Sequence, residues 1–143
     1  MSKRDYPERP VVGVGAVVLD ARKVLLIRRG SEPLKGQWSL PGGGLETGEQ
    51  LVDGLRREVR EETGLEIDVL GLAGVYDRIM PDAVGKTQFH YVLVDYVCRV
   101  AGGRLRAGGD AAEVRWVDES ELDALEVTAL TLPVIKEVLA KQK

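Results

Sequence analysis

The sequence predicts an α/β domain. Three observations carry that expectation: several short runs rich in valine, leucine and isoleucine, one internal helix ending near Thr63, and an amphipathic helix close to the C-terminal end. Strands with one helix among them and another behind them suggest a sheet sandwiched between helices. Periodicity alone carries the architecture no further.

Residues 1–10 are polar, contain Pro7 and Pro10, and read as an arm or short edge segment. Val11 to Leu19 is an apolar strand candidate in which Gly13 and Gly15 mark bulges or close backbone approach. A turn at Asp20–Ala21 leads to Lys23–Arg29, which should pair back as a hairpin. Gly30 to Gly36 is expected to be a loop, and Gln37 to Leu40 a short strand delivering the chain to Pro41 and the glycine run Gly42–Gly44. At such a run the backbone can turn sharply and approach a ligand closely. Thr47 with Gln50 makes a capping-box pattern, and Glu49 suits the positive end of the helix dipole. Leu51, Leu55 and Val59, with Val52 beside them, give the helix a buried stripe, and Gly64 can take the left-handed cap.

Beyond the helix, Glu66 to Tyr76 reads as a strand weakened by Gly71 and Gly74, and Asp77 to Lys86 as a loop. Thr87 to Val100 is the strongest strand signal in the chain. Ala101–Gly103 should turn it into a short partner around Arg104–Leu105, and Glu113 to Val117 should form another short strand. Asp118 or Ser120 can cap a helical turn. Thr131 to Ala140, with Leu132, Ile135, Val138 and Leu139 on one face, is the amphipathic helix. No repeat, low-complexity tract or linker interrupts the chain, so residues 1–143 are expected to form one domain with an N-terminal arm.

Composition narrows the function classes. With 44% hydrophobic and 30% charged residues, the chain reads as an ordinary globular protein. A net charge of −3 gives no electrostatic footprint for nucleic acid. The single cysteine, Cys98, excludes an internal disulfide framework, fits a reducing cytosol, and lies in an apolar run as a buried structural thiol. No signal-peptide core and no membrane-length apolar run are present, so a cytoplasmic location without a membrane partner is expected.

The chemistry concentrates on the internal helix. At about 100° per residue, Glu58, Glu61 and Glu62 fall within roughly a third of its circumference. Crowded carboxylates repel one another unless a cation sits among them. Magnesium prefers oxygen ligands and shares its shell with substrate phosphates. Arg57, four residues before Glu61 and two turns after Glu49, can hold such carboxylates in place. A solvated glutamate-rich face is the plainer alternative, but the glycine run, the cap, the arginine and the spacing coincide here. No Walker A lysine follows the glycines, which excludes a P-loop, and a zinc site lacks ligands.

Gly43 to Leu65 resembles the Nudix hydrolase box, G-x5-E-x7-R-E-U-x-E-E-x-G-U, with U a bulky aliphatic residue. Gly43, Glu49, Arg57, Glu58, Val59, Glu61, Glu62, Gly64 and Leu65 fill every specified place. The resemblance implies an α/β/α sandwich with a mixed β-sheet. It also implies hydrolysis of a nucleoside diphosphate linked to another moiety, with water attacking a phosphorus. Mg2+ is the implied cofactor, with Mn2+ as a substitute. Glu58 and Glu62 are the implied metal ligands, with Glu61 close behind and the carbonyl of Gly42 or Gly43 as a further ligand. Glu49 and Arg57 are implied to orient them. Family members take their general base from a box glutamate, here Glu61 or Glu62, or from a later loop. That loop offers Asp110 and Glu113, of which Glu113 is preferred.

For the substrate, one of Arg28 and Arg29 is expected to face the cleft and hold a phosphate, with Gly43 and Gly44 offering backbone. Tyr6, Tyr76 and Phe89 are candidates for stacking on a base. Trp38 is expected to be a buried anchor and His90 a structural side chain. Pro81 stands sixteen residues beyond Leu65, where ADP-ribose pyrophosphatases of the family tend to carry a proline. The extended motif of NADH pyrophosphatases is absent. The leading expectation is therefore ADP-ribose, giving AMP and ribose 5-phosphate. MutT-like hydrolysis of oxidised purine nucleoside triphosphates comes next, then diadenosine polyphosphates. A nucleotide-sensing module without catalysis is the expectation of another class, disfavoured by the complete box. The expected partner is a small-molecule nucleotide, and a homodimer in which the N-terminal segment reaches a neighbour is permitted.

Overall fold

The sheet is built outward from the first apolar run. In the computed structural model, which describes residues 4–142, that run forms β1 (Val11–Asp20). β1 turns at Ala21 into β2 (Lys23–Arg29), with Leu19 opposite Val24. β2 carries β3 (Trp38–Ser39) and β7 (Ala111–Asp118) antiparallel to it. β1 itself runs antiparallel to β4 (Gly42–Gly44) and parallel to β6 (Thr87–Gly103), from Val11 opposite Tyr91 to Val18 opposite Cys98. β5 (Leu65–Pro81) closes the order β3-β2-β1-β6-β5 at its far edge. The parallel pair makes the sheet mixed.

Alternation along the strands explains why two helices are needed. Val17, Val24 and Leu26 pack with Val134, Ile135, Val138 and Leu139 of α2 (Thr131–Lys141) on one face. Val14, Ala16, Val18 and Leu25 pack with Leu55 and Val59 of α1 (Leu51–Thr63) on the other. Covered on both sides, β1 reads as a continuous apolar run rather than an alternating one. Leu25, Leu26, Leu55, Ile135 and Leu139 are fully buried, each worth about 1.5–3 kcal/mol relative to exposure. The result is the expected α/β/α arrangement.

Several expectations need correction. The Thr47–Gln50 capping box does not form: Gln50 occupies the N-cap without a side-chain bond. Gly48, with φ 85°, turns the chain before the helix, and the Glu49 carboxylate instead accepts from the Glu46 backbone N–H at 3.1 Å. The glycine run is a strand rather than a loop, because its backbone pairs with β1. β5 runs on to Pro81, so the loop shrinks to residues 82–86. Register shifts between Val69 and Gly71 and between Leu72 and Gly74 absorb the two glycines as bulges, and the ladder with β6 continues. Arg104–Leu105 form no strand. The backbone N–H groups of Arg104, Arg106 and Gly108 donate instead to the carbonyls of Gly64, Thr63 and Glu62, satisfying the open end of α1.

Other expectations hold. Gly64 caps α1 at φ 76°, and Asp118 caps a 3-10 turn at Glu119–Glu121 by accepting from Ser120 N–H at 3.0 Å. Cys98 is wholly buried, which pushes its thiol up to about 12, outside nucleophilic range. In the arm, the Tyr6 backbone N–H donates to Gln88 and its hydroxyl to Asp82 at 2.8 Å; residues 1–3 lie outside the described residues. No helix among the described residues is long and apolar enough to cross a membrane.

Candidate active site

On the face of the sheet that α2 covers, the helix stops short and a cleft of about 740 Å³ opens. Its floor follows from strand parity. Gly13 and Gly15, four and two residues before the α2-facing Val17, line it, as do alternate residues in the first half of β6: Phe89, Tyr91, Leu93 and Asp95. Gly15 is opposite Asp95 in the ladder, and a Cβ there would collide with the carboxylate of Asp95. The missing side chain is what lets that carboxylate lean across β1.

The box carboxylates reach the cleft around the β4 edge. Glu62 is 4% exposed, and its Oε1 accepts from the Gly42 N–H at 2.8 Å. Burial pushes its carboxyl up to about 8, with the charges of Glu58 and Asp110 adding to the rise and the Gly42 bond opposing it. Glu58 lies against Gly43, where a Cβ would overlap its carboxylate. Burial raises the Glu58 carboxyl too, against the pull of Arg57.

Arg57 is the clamp. It donates Nε and Nη2 to the two oxygens of Glu49 at 2.7 and 2.9 Å, and Nη1 to Glu58 at 2.8 Å. Its Nη2 also reaches the Gly44 carbonyl at 3.3 Å. Such a bidentate pair fixes orientation as well as adding energy. The hydrogen bond from Arg57 holds the Glu49 carboxyl down at about 2, and the guanidinium is raised in turn. Glu61 stands apart from the cleft lining, half-exposed and 3.6 Å from Arg57.

These groups fit a magnesium ion. Glu58 and Glu62 are oxygen donors whose burial disfavours negative charge, and a cation between them would reverse that penalty. Among the described residues no three or more His, Cys, Asp or Glu side chains are gathered into a ready-made cage. Magnesium asks for less, since one or two carboxylates with waters and substrate phosphates complete its shell.

Of the remaining expected residues, the cleft receives some and not others. Arg29, Gly42, Gly43 and Gly44 line it, and so does Phe89. Arg28 points away and pairs with Glu113 at 2.7 Å, the residue facing it across the β2–β7 ladder. That register takes Glu113 out of the cleft, whereas Asp110 lines it. Pro81 is exposed at the end of β5 and outside the lining. Trp38 is a core residue, 8% exposed, as expected. His90, one residue out of phase with the cleft-facing series, is not in the lining. Tyr6 lies under Lys86 at 5.0 Å, and Tyr76 packs on the α2 core.

The cleft also holds residues outside the expected set, among them Asp95, Arg78 and Tyr91. Asp95 is 7% exposed, and burial lifts its carboxyl to about 6, with Arg78 opposing. Arg78 enters from β5, opposite Tyr91. The sequence carries a signal for Asp95: an acid within the strongest strand signal, in phase with Phe89, Tyr91 and Leu93.

Comparison with known proteins agrees with this geometry. The model of the NUDIX domain matches residues 9–138. An ADP-ribose pyrophosphatase of Methanocaldococcus jannaschii is 39% identical over 130 residues, covering 87% of this chain and 75% of that protein. A MutT-like protein of Streptomyces ambofaciens is 34% identical over 128 residues, covering 88% and 76%. The crystal structure of a MutT NUDIX hydrolase from Burkholderia pseudomallei superposes with a TM-score of 0.77 at 30% identity, covering 92% of this chain and 99% of that one.

Proposed function

The chain belongs to the Nudix hydrolase family, and we propose that within it the protein hydrolyses the pyrophosphate bond of ADP-ribose, giving AMP and ribose 5-phosphate. The observation that carries this reading is the pairing of Glu58 and Glu62 at the Gly42–Gly43 backbone, at one side of a cleft whose lining also includes Arg29, Arg78, Phe89 and Tyr91. The 39% identity to an ADP-ribose pyrophosphatase supports the choice of substrate. A cleft of about 740 Å³ falls within the range of small-molecule sites.

In this reading Glu58 and Glu62 hold Mg2+, for which Mn2+ can substitute, with a carbonyl of Gly42 or Gly43 as a further ligand. Bound there, the ion would supply charge neutralisation at the pyrophosphate and activation of the attacking water. Arg57 and Glu49 keep the Glu58 carboxylate in register, so that no reorganisation is needed when substrate binds. Asp110 is the loop acid on the cleft and the better candidate for accepting the water's proton; Glu113 is committed to Arg28. Water adds to one phosphorus, the bridging oxygen leaves with the other, and the proton passes to the base. Arg29 offers its guanidinium to a phosphate, and Phe89 and Tyr91 offer apolar rings to the nucleoside.

A turnover panel tests this: ADP-ribose, NADH, diadenosine tetraphosphate, dGTP and 8-oxo-dGTP, each with magnesium and with chelator. Magnesium-dependent release of AMP from ADP-ribose is the expected result. Preferential release of pyrophosphate from 8-oxo-dGTP would replace it with the MutT-like reading, which the Streptomyces relative favours. Binding without turnover of any of them would instead mark a sensing module.

A further inference from the structure

Among the described residues, Arg78 stands in the cleft without a carboxylate partner. Arg22, Arg28, Arg57, Arg60, Arg99 and Arg115 each have a carboxylate partner. Arg78 is half-buried yet forms no ion pair and no side-chain hydrogen bond among the described residues. Burial and the like charge of Arg29 pull its guanidinium below the ordinary value, and Asp95 and Tyr91 offset this only in part. Arg29 is held in place by its Nε, which donates to the Pro33 carbonyl at 2.6 Å. It also lies near enough to Glu62 to favour that residue's ionised form.

Two guanidinium groups on one partly desolvated cleft wall, neither in a carboxylate ion pair among the described residues, repel each other. An anion between them removes both the repulsion and the unspent hydrogen-bonding capacity. The planar fork of arginine suits the oxygens of a phosphoryl group in particular. Asp95 does not fill that role, because it stays outside ion-pairing distance while biasing Arg78 from further along the floor.

We propose that Arg78 and Arg29 form an anion subsite, next to Glu62, that takes a phosphoryl group of the substrate and does so without metal. The subsite deepens the pyrophosphatase reading and rests on it for the identity of the anion. It gives the cleft two handles on a pyrophosphate: carboxylates that act through a cation, and arginines that act directly.

Calorimetric titration of the chelator-treated full chain with AMP, pyrophosphate and adenosine tests it. The unaltered protein should bind AMP and pyrophosphate more tightly than adenosine. Arg78→Ala should weaken both phosphorylated ligands on the order of ten- to a hundred-fold, the range for a charged hydrogen bond, and leave adenosine unchanged. Arg78→Lys should retain part of the affinity. Arg99→Ala, which removes only an exposed pair with Asp68, serves as the control. Melting curves identify any variant that fails to fold, and if Arg78→Ala does, the lysine variant decides the matter. Unchanged AMP affinity in the deciding variant overturns the proposal. So does equal weakening of AMP and adenosine, or an unaltered protein that binds AMP no better than adenosine. If phosphate binding stands while ADP-ribose is not turned over with magnesium, the substrate reading falls and the subsite does not.

Discussion

Replacing Asp95 by asparagine should stabilise the protein by an amount that depends on pH. Asp95 is 7% exposed, and burial lifts its carboxyl from 3.8 to about 6. The unfolded chain releases this proton near the ordinary value, so between about pH 4 and pH 6 the native state holds a proton that the unfolded state has lost. Stability therefore falls as pH rises through that window. Each tenfold difference in proton affinity is about 1.4 kcal/mol, which puts the full effect at about 3 kcal/mol. An asparagine cannot ionise, but its amide brings N–H donors whose burial costs about 1 kcal/mol if they find no partner. The variant should thus match or fall slightly below the parent near pH 4, and exceed it by about 2 kcal/mol above about pH 7. Urea unfolding of both proteins in chelator across that range measures the difference directly. A difference that does not change with pH, or one that shrinks as pH rises, would refute the reasoning. It would mean that the carboxylate is already paired in the native protein, with Arg78 the obvious partner.

Three further outcomes follow from the site and its supports. Glu62→Gln keeps the side-chain shape and the bond from Gly42 but removes the charge that would face a metal; kcat for magnesium-dependent turnover should drop on the order of a hundred-fold or more, and parental turnover in a steady-state assay would remove Glu62 from the metal site. Asp110→Asn should lower kcat on the order of a hundred-fold if this acid takes the proton, whereas Glu113→Gln, which breaks an exposed pair with Arg28, should leave kcat within about two-fold; the reverse ranking would restore Glu113. Gly64→Ala forces a left-handed φ of 76° on a residue whose Cβ would also collide with the Arg104 carbonyl, costing at least about 1–2 kcal/mol in chemical denaturation; a variant as stable as the parent would refute this.

What could be read without coordinates was what local chemistry decides. The stripe of Leu55 and Val59, the left-handed cap at Gly64 and the β1–β2 hairpin are set by residues a few positions apart, so propensity and periodicity find them. The box itself is a local pattern as well: Arg57 meets Glu49 and Glu58 within one short stretch of chain, across the turn that opens α1. Register between distant strands is a different matter. Whether Arg28 or Arg29 enters the cleft depends on how β2 sits against β7, and the same pairing decides that Glu113 is taken and Asp110 available. No single-strand pattern contains that information, because shifting a strand by one residue exchanges its faces.

Arg78 was hidden for a related reason. The bulges at Gly71 and Gly74 break the local strand signal, and only the partner β6 extends β5 far enough to carry an arginine to the cleft. Asp95 needed no partner to be noticed. In residues 91–97, a segment otherwise made of valine, leucine and tyrosine, an acid must be buried at a cost, paired or functional. Its phase with Phe89, Tyr91 and Leu93 says which face it shares. Residues that break the local rule of their own element are where selection for something other than stability is to be looked for. Glu62, Asp95 and Arg78 all break it within one cleft. Each is a side chain whose charged form burial disfavours.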